Sequence, residues 1–334
     1  MFDIRRIKNG YWWKASEKFD SLISGENKLI EMTIQITDKC NKNCPKCNKI
    51  NMTNLDIPKD TITRIIDQGC ELGLKHIHFT GGEPTMHEDF PYIVEYCKKK
   101  DLRIDASSNG KFSKEIGESL AKAGINSMNI SWDYIDEPPD CIDFIFDLGF
   151  DVFINHMVMP DNYMELLAFL NYIRLKYDKV IDIQLMPPRG DAEKFTTQEI
   201  IEFEEKMMGK CYIVSKKRFP MIANKIYELL SCPETEHGIY HHKIKWECHR
   251  RKSEIRIGPK GFATCTYLYR DGHVTCSLDK SVKEALELCK KECSAIPPIK
   301  EMCDYSCSPE IAYFNFFIDK EIQKKKSREQ RYKE

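Results

Sequence analysis

Apolar and polar residues alternate strictly near residue 30, where Ile30, Met32, Ile34 and Ile36 are each followed by a polar residue. A period of two predicts a β-strand with one buried face. Five further short apolar stretches follow, separated by stretches with the spacing of amphipathic helices. The predicted strands are 30–36, 75–80, 102–106, 127–131, 152–159 and 180–186, and the predicted helices between them are 61–72, 92–100, 114–123, 141–148 and 164–177.

Strands that alternate with helices predict an α/β fold in which parallel strands are joined by crossover helices. Six such units rather than eight favour an open sheet, a partial (β/α)6 TIM-like barrel. The alternation stops after Pro187-Pro188-Arg189-Gly190, and cysteine becomes frequent further on. The predicted parts are an N-terminal cap (1–29), the barrel (30–190), a helical connector (191–235), a small cysteine-rich domain (236–318) and a charged tail (319–334).

The chain has 334 residues, 42% of them hydrophobic, and a formal net charge of −1. These values are typical of a soluble globular protein without electrostatic preference for nucleic acid or membrane surfaces. The sequence has no apolar run near the roughly 18 residues of a transmembrane helix and no apolar signal-peptide core. Fifteen cysteines without a secretion signal favour metal–thiolate chemistry. We expect a cytoplasmic protein of an oxygen-poor cell that binds neither nucleic acid nor a membrane.

Three of these cysteines, Cys40, Cys44 and Cys47, lie in the loop directly after the first predicted strand. Three thiolates this close can cap one metal centre from a single loop. An iron–sulfur cube has four irons, so three protein ligands leave one iron open for a small molecule. A structural zinc site would want a closed set of four ligands. The spacing favours a [4Fe–4S] cluster, with another metal or redox knuckle as the alternative.

Polar residues also follow other predicted strands, at the carboxyl ends where ligands bind in barrels of parallel strands. Gly81-Gly82-Glu83-Pro84 follows the second strand, and glycine there lets backbone carbonyls face a ligand without interference from a Cβ. A turn-capping role is the alternative for the polar strand-end residues, and a place in the core is the alternative for His156. The remaining candidates are Ser107, Asn109, Ser131, Asp133, His156 and Met186.

The C-x3-C-x2-C loop after a first strand, followed by Gly-Gly-Glu-Pro at the end of the next, resembles the radical S-adenosylmethionine (radical SAM) superfamily. The chain departs from that family in carrying Lys46 where an aromatic residue usually precedes the third cysteine. The resemblance implies that Cys40, Cys44 and Cys47 hold a [4Fe–4S] cluster whose open iron chelates the amino and carboxylate groups of SAM.

The same resemblance implies roles for the strand-end residues. Gly81, Gly82, Glu83 and Pro84 would bind the ammonium group of SAM through backbone carbonyls and the Glu83 carboxylate. Ser107, Asn109, Ser131 and Asp133 would face the ribose and carboxylate of SAM. Position at the strand ends, rather than the resemblance, suggests that His156 reaches SAM or substrate and that Met186 contacts adenine through its backbone.

A second group of cysteines lies in the last third of the chain. Two pairs in it have i, i+4 spacing, which puts both thiolates on one helix face or around one turn. The group resembles the SPASM or twitch auxiliary-cluster domains that follow many radical SAM barrels, although the SPASM block has tighter spacing and a further cysteine. It implies at least one auxiliary [4Fe–4S] cluster, with a second cluster or zinc as open alternatives. The implied ligands are Cys248, Cys265, Cys276, Cys289, Cys293, Cys303 and Cys307.

These resemblances together imply an enzyme that reductively cleaves SAM to a 5′-deoxyadenosyl radical and abstracts a hydrogen atom from its substrate. The electrons would come from a donor such as flavodoxin or ferredoxin. The SPASM-like tail favours a ribosomal peptide as substrate, modified by crosslinking, epimerisation or oxidation. A sugar, aminocyclitol or nucleotide is the alternative substrate, and a non-enzymatic iron–sulfur electron carrier is a remote alternative function.

Overall fold

The computed structural model describes residues 26, 28–44, 47, 53–159, 161–186, 254–264, 269 and 272–295. At 185, 186 and 293–295 it describes the backbone only. The predicted helical connector and charged tail, and most of the predicted N-terminal cap, lie outside the described residues. Within the described part of the chain, no helix is both long and apolar enough to cross a membrane.

Eight strands form one sheet, in the order β6-β5-β4-β3-β2-β1-β7-β8. β1 to β6 lie in chain order, and each pairs in parallel with the next. The described strands do not close into a ring, which confirms the open, partial-barrel form of the α/β fold. The strands are β1 Glu31–Thr37, β2 His76–Gly81, β3 Arg103–Ser108, β4 Ser127–Ser131, β5 Asp151–Met157, β6 Val180–Met186, β7 Glu254–Gly258 and β8 Gly261–Ala263.

The α-helices agree with the prediction to within a few residues between the strands. Ser113 begins the third of them, where its Oγ accepts the N–H of Ile116, and Gly124 ends it in the left-handed conformation (φ 92°). The described helices are α1 Lys59–Glu71, α2 Phe90–Lys99, α3 Lys114–Ala123, α4 Leu166–Lys176 and α5 Val282–Ala295.

The helix predicted over 141–148 is wrong, because only a short 3-10 helix forms there, Ile145–Asp147. Pro139 and Gly149 (φ 85°) bound this segment, and so short a segment gains little from helix formation in isolation. Cys141 and Ile145 are nevertheless fully buried. Cys141 and Ile145 thus have the i, i+4 spacing of an amphipathic helix because both are buried, although no continuous helix joins them.

β7 and β8 continue the barrel sheet, although the sequence places them in a separate C-terminal domain. β7 lies parallel to β1, with Ile255 opposite Met32, and β8 turns back beside β7. Val282 and Ala285 of α5 are buried in the same core as the β1 side chains. The C-terminal segment thus shares both the sheet and the core of the barrel.

The two faces of the sheet differ in polarity. Met32 and Ile34 on β1 are fully buried in the core that also contains Ile62 and Ile65 of α1. The opposite face, here called the inner face, is polar, whereas the interior of a complete (β/α)8 barrel is packed mainly with branched apolar side chains. Its residues include Thr33, Gln35, His76, His78, Thr80, Asp105, Ser107, Asn129, Ser131, Asn155 and Gln184, which the register aligns across neighbouring strands.

Candidate active site at the carboxyl ends of the strands

The cysteine loop leaves β1 and returns beside it. Asp38 N–H bonds to the Leu55 carbonyl at 2.8 Å, and Ile57 N–H bonds to the Ile36 carbonyl at 2.8 Å. Asp56 accepts the Lys39 ammonium at 2.6 Å on this returning segment. The two ends of the loop are therefore fastened together, and the three cysteines lie between them.

A buried polar network supports the same loop from the inner face. Asp38 accepts a bond from Gln35 Nε2 at 2.5 Å and another from Thr53 N–H at 3.2 Å. Arg256 of β7 donates to Gln35 Oε1 at 2.9 Å. The sequence gives one sign of this network, a carboxylate between an apolar strand and the first cysteine, but it does not identify the partners of that carboxylate.

The Gly-Gly turn after β2 lies directly against the loop. Gly82 N–H bonds to the Thr37 carbonyl at 2.8 Å, and Glu83 N–H bonds to the Lys39 carbonyl at 2.7 Å. A Cβ on Gly82 would lie 2.0 Å from the Lys39 carbonyl oxygen. Only glycine fits at this contact.

The Glu83 carboxylate is buried and is held by the protein itself. One oxygen accepts Thr85 Oγ1 and Ser108 Oγ, each at 2.8 Å, and the other accepts Asn109 N–H at 2.7 Å. Burial raises the pKa of Glu83, and these bonds oppose the rise. Glu83 therefore joins the ends of β2 and β3, and a contact of its carboxylate with SAM stays a prediction. Pro84 begins a buried 3-10 turn, Pro84–Met86.

Ser107 on the inner face belongs to a chain of polar side chains. Its Oγ lies 3.1 Å from His78 Nε2, and His78 Nδ1 lies 2.5 Å from Asp105 Oδ2. His76 Nε2 contacts the other oxygen of Asp105. Ser107 therefore ends a buried chain of two imidazoles and one carboxylate. The pattern at the strand ends points to Ser107 but not to its partners, although polar residues at alternate positions of β2 are a sign of them.

Ser131 is the last residue of β4, and Asp133 follows the strand two residues later. Asp133 Oδ1 accepts the Met157 N–H at 2.8 Å, so it fastens the end of β5. Ser131 is exposed. Burial raises the pKa of the Cys44 thiol, and Asp133 is near enough to raise it further.

The three cysteines interact electrostatically with one another. Cys47 and Cys40 both raise the pKa of the Cys44 thiol, whereas the Lys42 ammonium lowers it. Among the described residues, no three Cys, His, Asp or Glu side chains are grouped so as to hold one metal ion. A zinc ion would draw its thiolates to within about 2.3 Å of itself. In a [4Fe–4S] cluster each thiolate would instead bind its own iron.

His156 lies on the opposite face from the other candidates. Its Nδ1 lies 3.0 Å from the Trp132 carbonyl, and its ring centroid is 4.2 Å from that of Phe169 in α4. Burial lowers the pKa of His156 to about 4. The structure therefore shows the core alternative for this residue. Met186 ends β6 opposite Met157 on the inner face, and only its backbone is described.

The C-terminal cysteines are described in part. Burial raises the pKa of the Cys289 thiol, hydrogen bonds from Thr275 and Thr264 lower it, and nearby Cys276 raises it. Cys276 therefore affects the Cys289 thiol electrostatically. Cys293 follows on the same helix without a described side chain. Outside the described residues lie Cys248, Cys265, Cys303 and Cys307.

Sequence comparison finds relatives for the barrel. GTP 3',8-cyclase of Vibrio atlanticus is 30% identical over 200 residues, which are 52% of this chain and 59% of that protein. A probable GTP 3',8-cyclase of Thermococcus kodakarensis is 32% identical over 106 residues, 31% of this chain and 34% of that protein. The chain thus spans between about a third and three-fifths of the curated relatives it matches.

Two solved structures share the fold. Streptococcus suis SuiB bound to precursor peptide SuiA superposes with a TM-score of 0.60 at 16% identity, covering 84% of this chain and 70% of SuiB. The enzyme anSMEcpe with bound AdoMet and Cp18Cys peptide superposes with a TM-score of 0.60 at 14% identity, covering 88% of this chain and 95% of anSMEcpe. Residues 34–173 match the family model of the Radical SAM superfamily. Residues 34–173, which include the cysteine loop and the parallel strands behind it, are therefore a radical SAM domain.

Proposed function

We propose that the chain is a radical SAM enzyme that binds a [4Fe–4S] cluster through Cys40, Cys44 and Cys47. The observation that carries this proposal is the contact between the cysteine loop and the Gly81-Gly82 turn. The cluster, when bound, would supply the electron that cleaves SAM to methionine and a 5′-deoxyadenosyl radical, which takes a hydrogen atom from the substrate.

The protein side chains would bind and orient SAM and substrate. Gly81 and Gly82 present backbone carbonyls beside the loop, and carbonyl oxygens suit an ammonium donor. Ser131 at the end of β4 and Asp133 just after it would lie within reach of the ligand's polar groups. The polar inner face below them offers hydrogen bonds to a substrate, and burial of its residues would keep bulk water from a radical.

A peptide is the substrate class that we favour. The fold shared with SuiB extends over 84% of this chain, well beyond the family match at residues 34–173. SuiB and anSMEcpe are both known with peptides bound. Crosslinking, epimerisation and oxidation of a side chain all begin with loss of a hydrogen atom.

A nucleotide is the second candidate substrate. The curated relatives with the clearest sequence similarity are named GTP 3',8-cyclase. Their similarity covers at most about half of this chain. Similarity over half of the chain is expected if the two proteins share the part that cleaves SAM and differ in the part that binds the substrate. We therefore rank the nucleotide second.

The electrostatic interaction of Cys276 with the Cys289 thiol supports an auxiliary cluster. We assign them, with the C-terminal cysteines outside the described residues, to at least one auxiliary [4Fe–4S] cluster that binds substrate or accepts an electron. Flavodoxin or ferredoxin would reduce the enzyme, and an oxygen-poor cytoplasm would protect it.

The test uses anaerobically reconstituted full-length protein, dithionite and SAM, with 5′-deoxyadenosine measured by mass spectrometry. We expect 5′-deoxyadenosine from the wild-type protein and none after Cys40, Cys44 and Cys47 are replaced by Ala. Absence of product from reconstituted wild-type protein would defeat the proposal. GTP and peptides encoded beside the gene are then added separately, and the true substrate class increases the yield.

A further inference from the structure

The side chain of Asn109 lies against the first cysteine of the loop. Its Nδ2 is 3.6 Å from Cys40 Sγ and 2.9 Å from Asn41 Oδ1. The amide nitrogen has two hydrogens, one for each acceptor. Cys40 is half-buried, whereas Cys44 and Cys47 are exposed. Asn109 therefore meets the least exposed of the three cysteines.

Neighbouring groups determine which end of the Asn109 amide faces the sulfur. Asn109 Oδ1 accepts the backbone N–H of Lys111 at 2.8 Å. A backbone N–H can only donate, so the amide oxygen must face Lys111 and the amide nitrogen must face Cys40. The flipped amide would set two donors against each other.

The backbone of Asn109 is fixed as well. Its N–H donates to the buried Glu83 carboxylate at 2.7 Å, and its carbonyl accepts the Lys42 ammonium at 3.1 Å. Asn41 Nδ2 in turn donates to the Lys111 carbonyl at 2.6 Å. The end of β3 and the cysteine loop are thus joined on both sides of the Asn109–Cys40 contact, which places the donor before any cluster is bound.

We propose that Asn109 donates a hydrogen bond to the cluster thiolate of Cys40 and thereby raises the reduction potential of that cluster. This inference rests on the proposed function, because it requires the cluster at Cys40. A donor at a thiolate sulfur stabilises the additional negative charge of the reduced state. Asn109 would then be a positioning residue of the cluster, in place of the SAM contact that the family resemblance implies.

The test is a potentiometric titration of the full-length, anaerobically reconstituted protein, in which electron paramagnetic resonance monitors the reduced cluster at each potential. The cluster with an open iron is identified as the one whose reduced signal changes when SAM is added. Asn109→Asp keeps the size of the side chain and its acceptor for Lys111, but it cannot donate to sulfur. Asn109→Ala removes the donor without adding charge. We expect a more negative midpoint potential in both variants, with the larger shift in Asn109→Asp.

Asn41→Ala is the matched control, because it removes the bonds of Asn41 to the Lys111 carbonyl and to Asn109 Nδ2 but leaves the second Nδ2 hydrogen of Asn109 facing Cys40. We expect its midpoint potential to equal that of the wild-type protein. The inference is overturned if both Asn109 variants keep the wild-type potential, or if Asn41→Ala shifts it equally. If Asn109→Ala fails to assemble, Asn109→Leu takes its place, because it also removes the donor without adding charge. A wild-type protein without any SAM-sensitive cluster would instead defeat the proposed function.

Discussion

Gly82 is the residue at which the turn after β2 touches the cysteine loop after β1. A Cβ there would lie 2.0 Å from the Lys39 carbonyl oxygen and 2.4 Å from the Lys39 carbonyl carbon. Both are backbone atoms, so neither can rotate away. Gly82→Ala must displace the loop, and we expect a cost of about 1–3 kcal/mol in unfolding free energy together with lost cluster iron. Iron analysis and chemical denaturation of the full chain measure both effects.

Gly69→Ala provides the comparison for Gly82. A Cβ at Gly69 would also be crowded, at 2.5 Å, but by the terminal methyl of Met32. A methionine side chain has three rotatable bonds and moves aside readily. We expect this variant to keep its iron. Wild-type iron content in Gly82→Ala would contradict the close contact.

His156 makes stability depend on pH. Burial lowers its pKa to about 4 in the folded chain, against about 6.5 in an unfolded one. The neutral imidazole therefore favours folding above pH 6.5, and this contribution is lost as the pH falls toward 4. Between pH 7 and pH 5 we expect the unfolding free energy to fall by about 2 kcal/mol from this residue.

The measurement is chemical denaturation at both pH values for wild-type protein and for His156→Gln. Gln cannot titrate, so the variant should lack this part of the pH dependence while being less stable at pH 7. Equal pH dependence in the two proteins would show that His156 is protonated or exposed in the folded chain.

At the scale of the elements, Asp105 ties β2 to β3 on the inner face. Its two oxygens contact His76 Nε2 and His78 Nδ1, and its side chain is 1% exposed. Removing a shared buried partner leaves polar groups without compensation. We expect Asp105→Ala to lower the unfolding free energy by about 3–5 kcal/mol.

Glu95→Ala is the control for Asp105, because it removes an exposed carboxylate paired with Lys99 one turn along α2. Exposed pairs of this kind contribute little, so we expect no measurable change. Denaturation curves of the two variants decide the matter. Similar losses of stability in both would mean that the inner-face chain contributes no more than a surface ion pair.

The sequence predicts the strands because their two faces meet different surroundings. Met32 and Ile34 face the helices while their neighbours face the inner side, so the period of two is strong. The same parity was available for His156, which lies two residues after buried Ile154 and so on the core face. Odd or even position along a strand shows which face a side chain is on, but it does not reveal its hydrogen-bond partners. That Ser107 meets His78, and that Glu83 meets Asn109, depends on the register between strands.

At the scale of the whole molecule, the position of β7 is the feature that local sequence does not predict. Its residues alternate like any half-buried strand, and nothing local distinguishes pairing with β1 from pairing within a separate domain. The choice is made by contacts between residues more than 200 positions apart, such as Arg256 with Gln35. The C-terminal segment thereby reaches the base of the cysteine loop.

This connection predicts that a change in β7 loosens the cysteine loop. Arg256 donates to Gln35, which donates to Asp38, which accepts Thr53 where the loop returns. Arg256→Met leaves the Gln35 oxygen buried without this donor, and we expect a loss of about 1–3 kcal/mol in unfolding free energy. The SAM-sensitive cluster signal should also decay faster when an iron chelator is added.

Lys260→Ala is the control on the same hairpin, because it removes a positive charge but keeps the backbone bond from Lys260 N–H to the Tyr269 hydroxyl. Its cluster should resist the chelator as the wild-type cluster does. Faster decay in Arg256→Met alone would mean that the C-terminal segment stabilises the SAM-binding loop through Gln35 and Asp38. Equal decay in all three proteins would mean that the loop is held entirely by its own returning segment and the Gly82 turn.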